Sequence, residues 1–150
     1  MRNIPFSPPD ITELEIQEVC EALRSGWITT GPRTKQLEKE LAEYCHVAKL
    51  VCLNSATAEM NLRVLGIGEG DEVLVPAYPY PATAAAAIHV GATVKFIDSQ
   101  KDSLEMDYDQ MERAITEKTK AVIPVDLGGI PCDYDRIYQA VEGKKALFCP

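Results

Sequence analysis

Val51-Cys52-Leu53-Asn54-Ser55-Ala56-Thr57-Ala58-Glu59-Met60 is an apolar run too short for a globular helix, a break at Asn54-Ser55, and a helix-compatible segment directly after it. A strand that feeds a helix through a small polar turn leaves the first helical N–H groups unpaired. Those donors and the positive end of the helix dipole form a site for a phosphate. Ser55 can equally be an ordinary N-cap. The turn must therefore be weighed with the rest of the chain.

Along the rest of the chain, short apolar runs alternate with helical stretches. Strands are expected at Lys49–Leu53, Glu72–Val75, Thr93–Ile97, Lys120–Val125 and Lys145–Cys149, and helices at Thr57–Leu65, Ala82–His89, Asp107–Ile115 and Asp133–Val141. Upstream, Thr12-Glu13-Leu14-Glu15 has the form of a capping box. Ile16, Val19, Cys20 and Leu23 follow it at helical spacing until Gly26. Leu37, Leu41, Tyr44 and Cys45 line one face of a second helix, after the loop Trp27-Ile28-Thr29-Thr30-Gly31-Pro32. The alternation implies an α/β fold, a mostly parallel sheet with helices on both faces. The last strand runs into Pro150, where a doubly wound sheet does not usually end, so the chain reads as the front part of something longer.

A net charge of −8, with no local cluster of Lys or Arg to offset it, argues against nucleic acid or an anionic membrane as the main partner. The five cysteines form no CxxC pair and no metal-ligand spacing with histidine. Their odd number, with no signal-peptide core at the start, points to reduced thiols in the cytoplasm. Cys52 is expected as a small core residue on its strand. No metal site is expected.

Three further segments bear on chemistry. Gly66-Ile67-Gly68-Glu69-Gly70 has GxGxG spacing and precedes a strand, whereas a dinucleotide fingerprint needs its glycines between strand and helix. A helix C-cap followed by a turn is the better account. Pro76-Ala77-Tyr78-Pro79-Tyr80-Pro81 follows a strand end, where parallel sheets bind ligands, and its prolines stiffen it. A rigid tyrosine there can stack on a flat heterocycle or pack over the sheet edge. Asp98 and Asp126 each end a strand, positions that suit a base as well as a turn former. His46 and His89 read as helix-end residues.

In this order and spacing the segments are specific. The chain resembles the front of the DegT/StrS-type sugar aminotransferases, pyridoxal-phosphate (PLP) enzymes of aspartate-aminotransferase fold type I. The resemblance is carried by Gly26-Trp27-Ile28-Thr29-Thr30-Gly31-Pro32, Asn54-Ser55-Ala56-Thr57-Ala58, Gly68-Glu69-Gly70-Asp71-Glu72-Val73, Pro76, Tyr80, Ala82-Thr83, Gly91-Ala92, Asp98, Ile115-Thr116-Glu117-Lys118-Thr119-Lys120-Ala121 and Pro124-Val125. One departure stands out: Asp126-Leu127-Gly128-Gly129 occupies the place where that family usually has His-Leu-Tyr-Gly.

The resemblance implies that residues 1–150 are the N-terminal segment and part of the large PLP-binding domain. The rest of that domain and a small C-terminal domain would lie beyond 150. It implies that Ser55, Ala56 and Thr57 hold the cofactor phosphate and that Tyr80 stacks on the pyridine ring. Trp27, Thr29 and Thr30 would face the substrate or the dimer-related site. The Schiff-base lysine and the partner of the pyridine nitrogen would also lie beyond 150, so no catalytic residue is assigned within the chain. The activity implied is transfer of an amino group from an amino acid, typically glutamate, to a keto sugar, usually nucleotide-linked, by a homodimer in polysaccharide or aminosugar biosynthesis. The alternatives are a PLP-dependent sugar dehydratase of the same family and a nucleotide-binding, dehydrogenase-like α/β domain.

Overall fold

A computed structural model describes residues 8–53 and 59–142 and the backbone of 147–148. The chain divides into two compact units, residues 1–54 and 55–150.

The first unit carries helices α1 (Glu13–Arg24) and α2 (Pro32–Tyr44). The capping box forms as expected: Leu14 N–H donates to Thr12 Oγ1 at 3.2 Å, and the Glu15 carboxylate accepts from Thr12 N–H at 2.6 Å. Pro32 opens α2 at a position where a missing N–H is no loss. Arg33 of α2 reaches back to Glu18 and Glu21 of α1, the second at 2.8 Å, and so ties the two helices together. No described residue of either helix is buried.

The expected strand at Lys49–Leu53 does not form. Cys52 is only half-buried, and its N–H donates to the Glu38 carboxylate at 2.9 Å. An apolar run becomes a strand only when a neighbouring ladder takes its backbone groups, and here a side chain takes one of them. Cys52 is therefore not the core residue expected.

The second unit is the α/β body. Helix α3 (Glu59–Val64) ends in a Schellman motif, with Gly66 at φ +72° donating to Arg63 O and Ile67 donating to Leu62 O. The glycine segment is thus a helix C-cap and turn, as its position before a strand implied. The other elements are β1 (Glu72–Pro76), α4 (Pro81–His89), β2 (Thr93–Ile97), α5 (Tyr108–Ala114), β3 (Thr119–Val122), α6 (Tyr134–Val141) and β4 (Leu147–Phe148). Asp107 and Asp133 cap α5 and α6 through their carboxylates.

The strands pair in the order β2-β1-β3-β4, all parallel. β3 stops short of the expected Val125, because Pro124 has no N–H for the ladder. Alternate residues of β1 and β3 face opposite cores. Val73, Val75, Ala121 and Ile123 pack with Leu62 of α3 and Ala84, Ala86 and Ala87 of α4. Leu74 and Val122 pack with Met111 of α5 and with Ile137 and Val141 of α6. The period-2 pattern therefore places helices on both faces of the sheet.

Candidate functional site

The strand order decides where a ligand fits. β1 and β3 lie side by side, but the chain leaves β1 toward β2 through α4 and leaves β3 toward β4 through α6. The connections diverge at this point. The crevice outside the carboxyl ends of such a pair is where open α/β sheets bind ligands.

The loop after β1 enters this edge with little freedom. Ala77 N–H donates to Ile97 O at 2.7 Å, which fastens the start of the loop to the end of β2. Tyr78 and Tyr80 each precede a proline, which favours extended backbone; Tyr80 has φ −68° and ψ 137°. Tyr80 is the N-cap of α4, Pro81 follows it, and its carbonyl accepts from Thr83 N–H at 3.0 Å. Its side chain is 80% exposed. A rigid backbone thus carries an uncovered aromatic ring at the ligand-binding edge, which is the requirement for stacking on a flat heterocycle. The other reading, a ring packed down over the sheet edge, does not hold.

The two strand-end aspartates are occupied locally. Asp98 Oδ1 accepts from Ser99 N–H at 2.8 Å. Asp126 accepts from Tyr134 Oη–H at 2.6 Å and from Cys132 N–H at 2.9 Å. These bonds, that of Tyr134 foremost, hold the Asp126 carboxyl below its ordinary range, so it is a fixed anion rather than a proton acceptor. The same tyrosine is pushed up to about 12, first by its bond to that carboxylate. Buried Cys132 donates to Val125 O at 3.4 Å, and burial raises its thiol. Behind it, the Tyr108 hydroxyl donates to Glu105 at 2.8 Å and accepts from Asp133 N–H at 2.7 Å. Desolvation raises the Tyr108 phenol well above its ordinary value. Neither Tyr108 nor Tyr134 carried any signal in the sequence; their roles depend on contacts across 25 and 8 residues.

Trp27, Thr29 and Thr30 belong to the first unit. The Trp27 indole N–H donates to Thr30 O at 3.0 Å, and the ring lies over Gly31, the buried residue of that loop. The expected phosphate residues Ser55, Ala56 and Thr57 lie outside the described residues, as does the start of the helix expected at Thr57; α3 is described from Glu59. His89, in the last turn of α4, meets the Glu59 carboxylate at 3.0 Å, and His46 follows the C-cap of α2 with φ 54°. Both are helix-end residues, as expected. Among the described residues no group of histidine, cysteine and carboxylate side chains could hold a metal ion, and no helix is long and apolar enough to cross a membrane.

The chain matches the model of the DegT/DnrJ/EryC1/StrS aminotransferase family over residues 9–148. It is 44% identical over 147 residues to the spore coat polysaccharide biosynthesis protein SpsC of Bacillus subtilis, across 97% of this chain and 38% of that protein. It is 42% identical over 144 residues to the UDP-4-amino-4-deoxy-L-arabinose–oxoglutarate aminotransferase of Shewanella sediminis, across 95% of this chain and 37% of that protein. Among solved structures it is similar to Spr1654 of Streptococcus pneumoniae, a sugar aminotransferase by its description, in the PMP form. That likeness has a TM-score of 0.87 and 63% identity, over 94% of this chain and 36% of the other. The chain spans little more than a third of the length of each of these proteins. With that match over nearly its whole length, on a parallel sheet with the expected order of elements, the chain belongs to the DegT/DnrJ/EryC1/StrS aminotransferase family.

Proposed function

We propose that this chain is the front part of a PLP-dependent aminotransferase that moves an amino group from glutamate to a nucleotide-linked keto sugar. The carrying observation is Tyr80, an exposed ring on a proline-held backbone at the carboxyl edge of β1. That geometry fits the flat face of the cofactor. PLP, when bound, supplies the electron sink for the chemistry; the chain supplies position. Ser55, Ala56 and Thr57 hold the phosphate, and Tyr80 covers the ring. Trp27, Thr29 and Thr30 line the substrate or subunit boundary.

The lysine that holds the cofactor, the rest of the large domain and the small domain lie beyond residue 150. The chain spans 36–38% of the relatives it matches, and so accounts for only part of their length. The relative named for oxoglutarate and a UDP-linked amino sugar supports the substrate pair. The full-length protein is a cytoplasmic homodimer that serves polysaccharide or aminosugar biosynthesis.

The test is the full-length protein with glutamate and a panel of nucleotide-linked keto sugars, read by mass spectrometry and by the absorbance of the bound cofactor. Formation of 2-oxoglutarate and a nucleotide-linked amino sugar is expected. A deoxygenated sugar would instead indicate a dehydratase, and no response to glutamate would end the transamination reading. Tyr80→Phe should keep cofactor affinity within about threefold, whereas Tyr80→Ala should lose about tenfold or more, because the ring face matters and the hydroxyl does not.

A further inference from the structure

Two of the segments that carry the family likeness, residues 68–73 and 115–121, meet at the amino ends of β1 and β3, the opposite end of the strands from the Tyr80 loop. One carboxylate joins them. Glu72, the first residue of β1, accepts from Thr116 Oγ1–H at 2.5 Å and from Thr119 Oγ1–H at 3.5 Å, and it pairs with the Lys95 ammonium of β2 at 2.8 Å. Lys95 also donates to Ala114 O, at the end of α5, at 3.3 Å. Three strands and a helix end therefore converge on Glu72, whose side chain is 15% exposed.

The backbone ladder is interrupted at this point. Glu72 lies opposite Thr119 but Val73 lies opposite Ala121, so Lys120 is an extra residue that bulges β3. The turn before it is exposed at residues 116–118. Side chains take over from the ladder: buried Thr119 accepts from Thr116 N–H at 2.9 Å through the same hydroxyl that donates to Glu72. One backbone bond, Glu72 N–H to Lys118 O at 2.8 Å, lies beside them. Lys95 foremost, then the Thr116 hydroxyl, hold the Glu72 carboxyl below its ordinary range, and Lys118 adds to this from the turn. The neighbouring Asp71 carboxylate accepts from Gly68 N–H at 3.1 Å, and Glu117 is exposed on the turn.

We propose that Glu72 is an electrostatic latch on the amino edge of the sheet: its carboxylate holds the bulged junction of β1 and β3 closed, and loss of its charge lets residues 115–119 open while the rest of the second unit stays folded. A carboxyl held low in the closed state favours closure above its open-state value, near pH 4.5, and that contribution is lost as pH falls through and below it. Local opening of this kind is visible in amide hydrogen exchange.

The test is hydrogen exchange of the full-length protein between about pH 6 and about pH 4, expressed as protection factors for residues 115–121 and, as internal reference, for α4. Protection of residues 115–121 falls about threefold relative to α4 over this range. Glu72→Gln keeps an acceptor but no charge; it lowers that protection about tenfold already near pH 6 and removes the further loss. Lys95→Gln lets the Glu72 carboxyl rise toward its ordinary value, so both the protection near pH 6 and its loss on acidification shrink. This second variant decides the matter if Glu72→Gln fails to fold. An acid loss like that of the parent in either folded variant would overturn the latch. So would no acid loss in the unmodified protein, or an equal loss in α4.

Discussion

Gly31 is the position where a single atom decides a local structure. An added Cβ would lie 1.8 Å from Trp27 Nε1 and 2.3 Å from its Cδ1. The backbone there is extended, with φ −168°, so any residue could adopt it and the objection is purely steric. Gly31→Ala should push the indole off the loop and break its bond to Thr30 O, at a cost of about 1–3 kcal/mol for overpacking a rigid ring. The chain has one tryptophan, so its fluorescence reports the event directly; an unshifted emission maximum would show that the ring had not moved. The sequence singled out Trp27, Thr29 and Thr30 but gave no sign that Gly31 lay beneath the ring. The backbone of Tyr80, by contrast, was legible, because the flanking prolines act on it directly and need no distant partner.

Between elements, the Tyr108 hydroxyl is the informative contact. It belongs to the first turn of α5, donates to Glu105 in the preceding turn, and accepts from the N–H of Asp133, the N-cap of α6. Burial foremost raises its ionisation above the ordinary tyrosine value near pH 10. A raised value in the folded state means the neutral phenol is favoured there. Its contribution is therefore complete below about pH 10 and is lost as pH rises further. Tyr108→Phe should cost about 1 kcal/mol near neutrality, where Asp133 N–H loses its acceptor, and should also flatten the loss of stability at alkaline pH. Urea midpoints measured at neutral and alkaline pH check both halves. Tyr134, pushed up to about 12, keeps some alkaline sensitivity in the variant. An alkaline slope identical to that of the parent would show that Tyr108 does not titrate in this window. The same scale explains the expected strand that does not form among the described residues. Lys49–Leu53 had the composition of a strand, but strand formation depends on an available ladder, and composition alone cannot supply one.

For the whole molecule, the expectation concerns what 150 residues can do. No lysine in the chain matches a Schiff-base motif, so the isolated chain should not transaminate. Borohydride reduction with PLP followed by peptide mapping should find no single stoichiometric cofactor–lysine adduct in residues 1–150. One such adduct, together with turnover, would reverse the assignment. The full-length protein should sediment as a dimer, and an active monomer at micromolar concentration would count against that. The sequence by itself determined the α/β class, the helix cap at Thr12, the Gly66 stop and the stiff Tyr80 loop, because each depends on neighbours within a few residues. It also determined the family, through motifs in order along the chain. Only the tertiary structure decided that β1 and β3 are adjacent with diverging connections. That adjacency turns two separate strand ends into one crevice, and the closure of Asp126 on Cys132 and Tyr134 is decided by side-chain placement within the segment after β3. Strand order and side-chain closure are contests among non-local partners, and their outcome is set by which faces bury together, not by local pattern.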